Sequence, residues 1–177
     1  MLVFLIGLSG SGKSYWARQL ADAWNWQRLD MDEIIAEQHA TTIAQIFTDK
    51  GEAYFRKEEH QLLKNIIENH SGNHTIIATG GGTPCFHSNI DLMNAHGITI
   101  YLKADATFLA DRLAKANDRP LLTSTSAKEL EEKINAMLAS RKKIYEQTTI
   151  KIDTETAATT TFAQAITDHT GEALKLN

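Results

Sequence analysis

The first twenty-four residues leave few folds open to this chain. Residues 1–6 (MLVFLI) form a short, nearly unbroken apolar run of strand length, and GLSGSGKS follows at residues 7–14. Residues 15–24 then carry Trp16, Leu20, Ala23 and Trp24 at helical spacing. Strand, glycine-rich turn and helix is the context in which G-x-x-x-x-G-K-[S/T] becomes a phosphate-binding loop rather than a chance glycine turn. Gly7, Gly10 and Gly12 let the backbone turn its N–H groups inward as an anion-binding nest. The helix N-terminus faces the same point. Lys13 has the reach for β- and γ-phosphate oxygens, and the Ser14 hydroxyl suits Mg²⁺. The segment Gly10, Ser11, Gly12, Lys13, Ser14 and Tyr15 is therefore expected to bind a nucleoside triphosphate.

The 177 residues suffice for one domain spanning 1–177 with a sizeable core. A formal charge of −4 and the absence of Lys/Arg runs argue against a nucleic-acid partner. A single cysteine, Cys85, excludes an internal disulfide and a cysteine-based zinc site. No apolar stretch reaches membrane-spanning length, and the start does not read as a signal peptide. A cytoplasmic monomer is expected. Only six of the 18 basic residues are arginine (Arg18, Arg28, Arg56, Arg112, Arg119 and Arg141), which makes each a candidate for planar, bidentate binding.

Along the chain, a short extended segment at residues 26–29 runs into Asp30-Met31-Asp32 and a helical DEIIAEQ. A phosphate loop needs an acidic partner for Mg²⁺. The usual place, after the next apolar strand (residues 75–79), holds Gly80-Gly81-Gly82 instead. Asp30 or Asp32 is left to supply the carboxylate, although Asp32 also suits the N-cap of its helix. Residues 42–47 form a short helix, and residues 52–69 a long one with Phe55, Leu62 and Ile66 facing inward. Arg56 and Glu59 stand at i,i+3, as a fixed anion receptor or as an ordinary surface pair. Three glycines at a strand's ligand edge imply a close approach to the backbone. Cys85 and His87 read as structural or exposed, and Gly97 as the C′ residue that closes a helix over residues 88–96. A fourth strand (98–102), helices at 106–116 and 127–145, and a fifth strand (149–152) complete an alternation that predicts a parallel, three-layer α/β sheet. Arg119-Pro120 and the polar run after it have the character of a lid over a phosphate loop.

Taken in order, these residues resemble the shikimate kinases, small P-loop kinases related to the nucleoside monophosphate kinases. The resemblance covers residues 2–154 and rests on GLSGSGKS at 7–14, Asp30-Met31-Asp32, GEAYFRKEE at 51–59, TGGG at 79–82, RPLL at 119–122 and the R-x-x-x-Y of Arg141 and Tyr145. It implies a P-loop NTPase fold: a five-stranded parallel sheet of order 2-3-1-4-5, helices on both faces, a substrate-binding region near residues 31–60 and a mobile lid near 113–126. It implies transfer of the γ-phosphoryl of ATP to the 3-hydroxyl of shikimate, in aromatic amino-acid biosynthesis, with Mg²⁺ as cofactor. Residue by residue, it implies Lys13 on the phosphates, Ser14 on the metal and Asp30 supporting it. Asp32 becomes the base on the substrate hydroxyl. Arg56, Arg141 and the backbone of Gly80, Gly81 and Gly82 bind shikimate. Glu59 holds Arg56, Phe47 and Phe55 wall the pocket, Arg119 closes with the lid, and Arg112 and Asp153 flank the adenine.

Three departures stand out. Met31 sits where many members carry a small polar residue, so a slightly different metal-site hydration is expected. Lys143-Ile144 replaces a frequent Pro-Leu. The stretch Thr83-Pro84-Cys85-Phe86 carries no assignable chemistry. The rival readings are a kinase for another small hydroxy acid or a nucleotide, and a nucleotide-binding protein without catalysis.

Overall fold

The computed structural model describes residues 1–69, 72–115 and 126–174. The strands are β1 (Leu2–Ile6), β2 (Gln27–Asp30), β3 (Thr75–Ala78), β4 (Ile98–Lys103) and β5 (Ile150–Asp153). The helices are α1 (Lys13–Trp24), α2 (Met31–Gln38), α3 (Ile43–Glu68), α4 (Asn89–His96), α5 (Ala106–Lys115), α6 (Ala127–Tyr145) and α7 (Thr159–Thr170). The five strands pair in parallel in the order β2-β3-β1-β4-β5, as expected. Burial explains the sequence patterns. β1 and β3 are buried at every position and read as continuous apolar runs, whereas edge strand β5 alternates.

Successive residues of β1 divide between two cores. Val3 and Leu5 face Trp16, Leu20 and Trp24 of α1 and Phe162 and Ile166 of α7. Leu2, Phe4 and Ile6 face Met31, Ile35, Phe55, Leu63 and Met93 on α2, α3 and α4. A third cluster joins α5 to α6 through Leu109, Leu113, Leu130 and Ile134, with Leu8 of the glycine loop beneath it. Because all five strands run the same way, the loops that follow β1, β2, β3 and β5 leave from one edge of the sheet.

Four local expectations change. Asp30, not Asp32, caps α2: its Oδ1 accepts from the N–H groups of Asp32 (3.1 Å) and Glu33 (3.4 Å). Gly97 does not take a left-handed turn, since its φ of −173° is extended. It is needed because a Cβ there would lie 2.5 Å from the Leu2 carbonyl oxygen and 2.9 Å from the Phe4 ring. Met31 points into the apolar core with no exposure, so it presents nothing to metal-bound water. The two helices expected at 42–47 and 52–69 run on as α3, broken by Gly51 at φ 80°, ψ 169°.

Candidate active site

The glycine loop is closed by its own backbone. Gly12 stands before α1 with φ 90°, a left-handed conformation, and a Cβ there would press within 3.2 Å of Arg112 Nη1. Ser11 N–H donates to the Leu8 carbonyl (3.1 Å). Lys13 is buried, and its ammonium donates to the carbonyls of Gly7 (2.9 Å) and Leu8 (3.1 Å). The turn after β5 is tied to this loop. Thr154 Oγ1 accepts from Trp16 Nε1 and donates to the Ser11 carbonyl, both at 3.0 Å. A cleft of about 300 Å³ opens here, with Gly10, Lys13, Ser14, Asp32 and Thr79 around it and Arg112 at its rim. Lys13, Ser14, Asp32 and Arg112 are thus brought together. Asp30 lies behind, buried and engaged in capping α2. Asp153 is exposed and accepts from Glu155 N–H (3.0 Å), and Tyr15 is exposed with its ring edge-on to Trp16.

A second polar cluster, built around Arg56, adjoins this cleft. Arg56 is not on the surface. Its side chain is 9% exposed and that of Glu59 is 0%, and Nη1 donates to Glu59 Oε2 at 2.7 Å. Glu59 also accepts a hydrogen bond from the Thr83 hydroxyl. Burial pushes the Glu59 carboxyl above its ordinary range, against the opposing pull of Thr83 and Arg56. The aromatic rings of Phe47 and Phe55 each lie with their centroids 5.5 Å from Arg56 Cζ, and Phe86 lies nearer, at 4.6 Å.

The glycine run explains how these pieces fit. A Cβ on Gly82 would lie 2.5 Å from Arg56 Cζ, and one on Gly80 would collide with Glu59 and sit 3.0 Å from Asp32 Oδ1. The close approach implied by three glycines is therefore made first by the protein's own side chains. Gly81 lends its carbonyl to Arg141 Nη1 (3.1 Å) and to the Tyr145 hydroxyl (2.6 Å). Gly80 is where the glycine-loop cleft, through Asp32, meets the Arg56 cluster, through Glu59.

A model of the family described as "Shikimate kinase" matches residues 9–171. The chain belongs to the shikimate kinase family. It is 38% identical over 149 residues to the shikimate kinase of Azobacteroides pseudotrichonymphae genomovar. CFP2, covering 84% of this chain and 86% of that one. The crystal structure of shikimate kinase from Bacteroides thetaiotaomicron superposes with a TM-score of 0.86 at 30% identity, covering 95% of this chain and 97% of that one. Shikimate kinase from Acinetobacter baumannii, solved in complex with shikimate, gives 0.80 at 30% identity, covering 93% and 89%. This chain is accordingly an ATP-dependent kinase of the shikimate pathway. Among the described residues no helix is long and apolar enough to cross a membrane.

Two residues at the site are not legible as functional in the sequence. Phe86 lay in a stretch with no recognisable chemistry, and only the fold puts its ring over Arg56. Tyr145 belongs to the R-x-x-x-Y motif, which by itself implies no role for the phenol. It is wholly buried, and burial raises its phenol far above the ordinary value, so it remains a hydrogen-bond donor to Gly81. A lysine-to-arginine ratio was a poor guide by contrast. Arg18 is exposed, and Arg28 forks onto Glu33 at the surface. Cys85 is half-buried with its thiol pushed up by burial, which disfavours the thiolate and agrees with a structural residue. Arg119 and most of the expected lid, residues 116–125, lie outside the described residues.

Proposed function

We propose that this chain phosphorylates the 3-hydroxyl of shikimate with MgATP through one continuous site that runs from Lys13 to Arg56. The observation that carries the reading is the junction at Gly80, where the phosphate cleft and a buried, carboxylate-held arginine meet at Asp32. In this reading Lys13, released from Gly7 and Leu8, neutralises charge on the transferring phosphoryl group. The loop amides from Gly10 to Tyr15 hold the phosphates, Arg112 and the Asp153 turn flank the adenine, and Arg119 completes the clamp. Asp32 accepts the proton of the attacking hydroxyl. Arg56 and Arg141 receive the carboxylate, with the backbone of Gly80, Gly81 and Gly82 aligned along the ring and residues 31–60 forming most of that pocket. Fixing the acid at one end aims the hydroxyl at the other, which is most of what phosphoryl transfer asks of a protein.

The donor set suits Mg²⁺. The Ser14 hydroxyl at the cleft and the Asp30 carboxylate behind it offer hard oxygens, directly or through water, and a Mg²⁺ held largely by phosphates and water needs few of them. Bound there, the ion supplies charge neutralisation at the phosphate oxygens. The test is a coupled ADP-release assay with MgATP, with and without shikimate. Shikimate-dependent ADP formation is expected. ATP binding without stimulation by shikimate would leave the phosphate loop standing and refute the substrate.

A further inference from the structure

We propose that Glu52 is an internal competitor for the carboxylate seat on Arg56, so that an acid substrate binds by displacing it. The inference rests on the reading of Arg56 as the acid receptor. Arg56 has its faces covered and its edge occupied. Gly82 packs against the guanidinium on one side, and the aromatic ring of Phe86 stands 4.6 Å from Cζ. Glu59 Oε2 takes Nη1 at 2.7 Å, and Glu52 Oε1 takes both Nη2 (2.8 Å) and Nε (3.1 Å). The Nε–Nη2 fork is a geometry in which arginine grips a carboxylate, and one oxygen of Glu52 fills it.

The two glutamates differ in what it takes to move them. Glu59 has no exposed surface and is also held by Thr83, so its departure would strand a buried guanidinium. Glu52 is 57% exposed. It follows directly on Gly51, whose φ of 80° and ψ of 169° interrupt α3, and so it opens the second helical stretch. A carboxylate there swings into water and still lies near amide N–H groups at a helix start, where negative charge is favoured. The Glu52 end of the pair is open to water, which screens it, so a ligand that offers two oxygens to the fork can replace a side chain that offers one. A ligand without a carboxylate finds the seat filled and gains nothing from Arg56. Glu52 thereby tunes how tightly an acid substrate is held, because every acid must first displace it from the fork.

The experiment compares wild type with Glu52→Gln, Glu52→Ala and Arg56→Ala in the ADP-release assay, varying shikimate and ATP separately. Both Glu52 variants are expected to lower the shikimate KM by roughly two- to five-fold, the scale of an ion pair screened by water at one end. The ATP KM is expected not to follow, and the gain shrinks at high ionic strength. An unchanged or raised shikimate KM in the Glu52 variants, with Arg56→Ala still raising it strongly, would overturn the competitor and make Glu52 a brace for Arg56. An unchanged shikimate KM in Arg56→Ala would overturn the receptor reading and this inference with it.

Discussion

Gly82→Ala isolates the dependence of substrate binding on one close contact. Gly82 sits at φ −93°, ψ −19°, a conformation open to any residue, so alanine costs no backbone strain there. Its Cβ, however, would lie 2.5 Å from both Cζ and Nη1 of Arg56. Carbon contacts settle at roughly 3.5 Å, so the guanidinium must retreat by about 1 Å. A retreat of that size disturbs the bond from Nη1 to Glu59 Oε2, now at 2.7 Å, and shifts the carboxylate seat. Misplacing a binding group by about 1 Å can cost on the order of 100-fold. Arginine is flexible at its tip, so the expected loss in kcat/KM for shikimate is about 10- to 100-fold, or roughly 1.4–2.7 kcal/mol. Stability changes less. Losing a charge-assisted bond costs about 1.5–3 kcal/mol, offset by about 0.4–1 kcal/mol from a stiffer unfolded chain. The assay is ADP release with each substrate varied in turn, alongside thermal unfolding. An ATP KM near wild type shows that the cleft is intact. A shikimate kcat/KM within twofold of wild type would refute the argument.

Three further outcomes follow from the same geometry. Lys13→Met should reduce kcat by at least about 100-fold while the protein stays folded, and a kcat within a few-fold of wild type would sink the phosphate role of Lys13. Glu59→Gln tests a sign. The Glu59 carboxyl lies above its ordinary value near 4.5 through burial, so the folded protein binds that proton more tightly than the unfolded chain. Its contribution to stability is then present at low pH and lost as pH rises through the window that opens near 4.5. The melting-temperature difference between wild type and Glu59→Gln should fall across that window, and a flat or rising difference counts against the assignment. Thr154→Val leaves the Trp16 indole N–H and the Ser11 carbonyl without their shared hydroxyl. A loss of about 1–3 kcal/mol, a shifted tryptophan emission and a raised ATP KM are expected. Unchanged melting and ATP KM would show that this link does not hold the phosphate loop.

The sequence by itself determined everything whose cause is local or periodic. The run at residues 1–6, the glycines and Lys13 specify a strand, an anion nest and a helix from neighbouring residues alone. The alternation of apolar runs and helical stripes then leaves a parallel α/β sheet as the way to bury both faces of β1 and β3. Ordered motifs carried the substrate, since their order survives in a linear reading. The tertiary structure decided what depends on distant residues meeting. Arg56 and Glu59 read equally well as a surface pair until Thr83, Gly80 and Gly82 were packed against them, because burial is a property of the surroundings and not of i,i+3 spacing. Spacing alone does not say which of Asp30 and Asp32 caps the helix; the backbone gives Asp30 the two amides. Gly97 looked like a turn residue, yet its reason lies in β1, ninety-odd residues away in the chain. Phe86 carried no signal at all, because a ring over a guanidinium thirty residues earlier leaves no trace in local spacing.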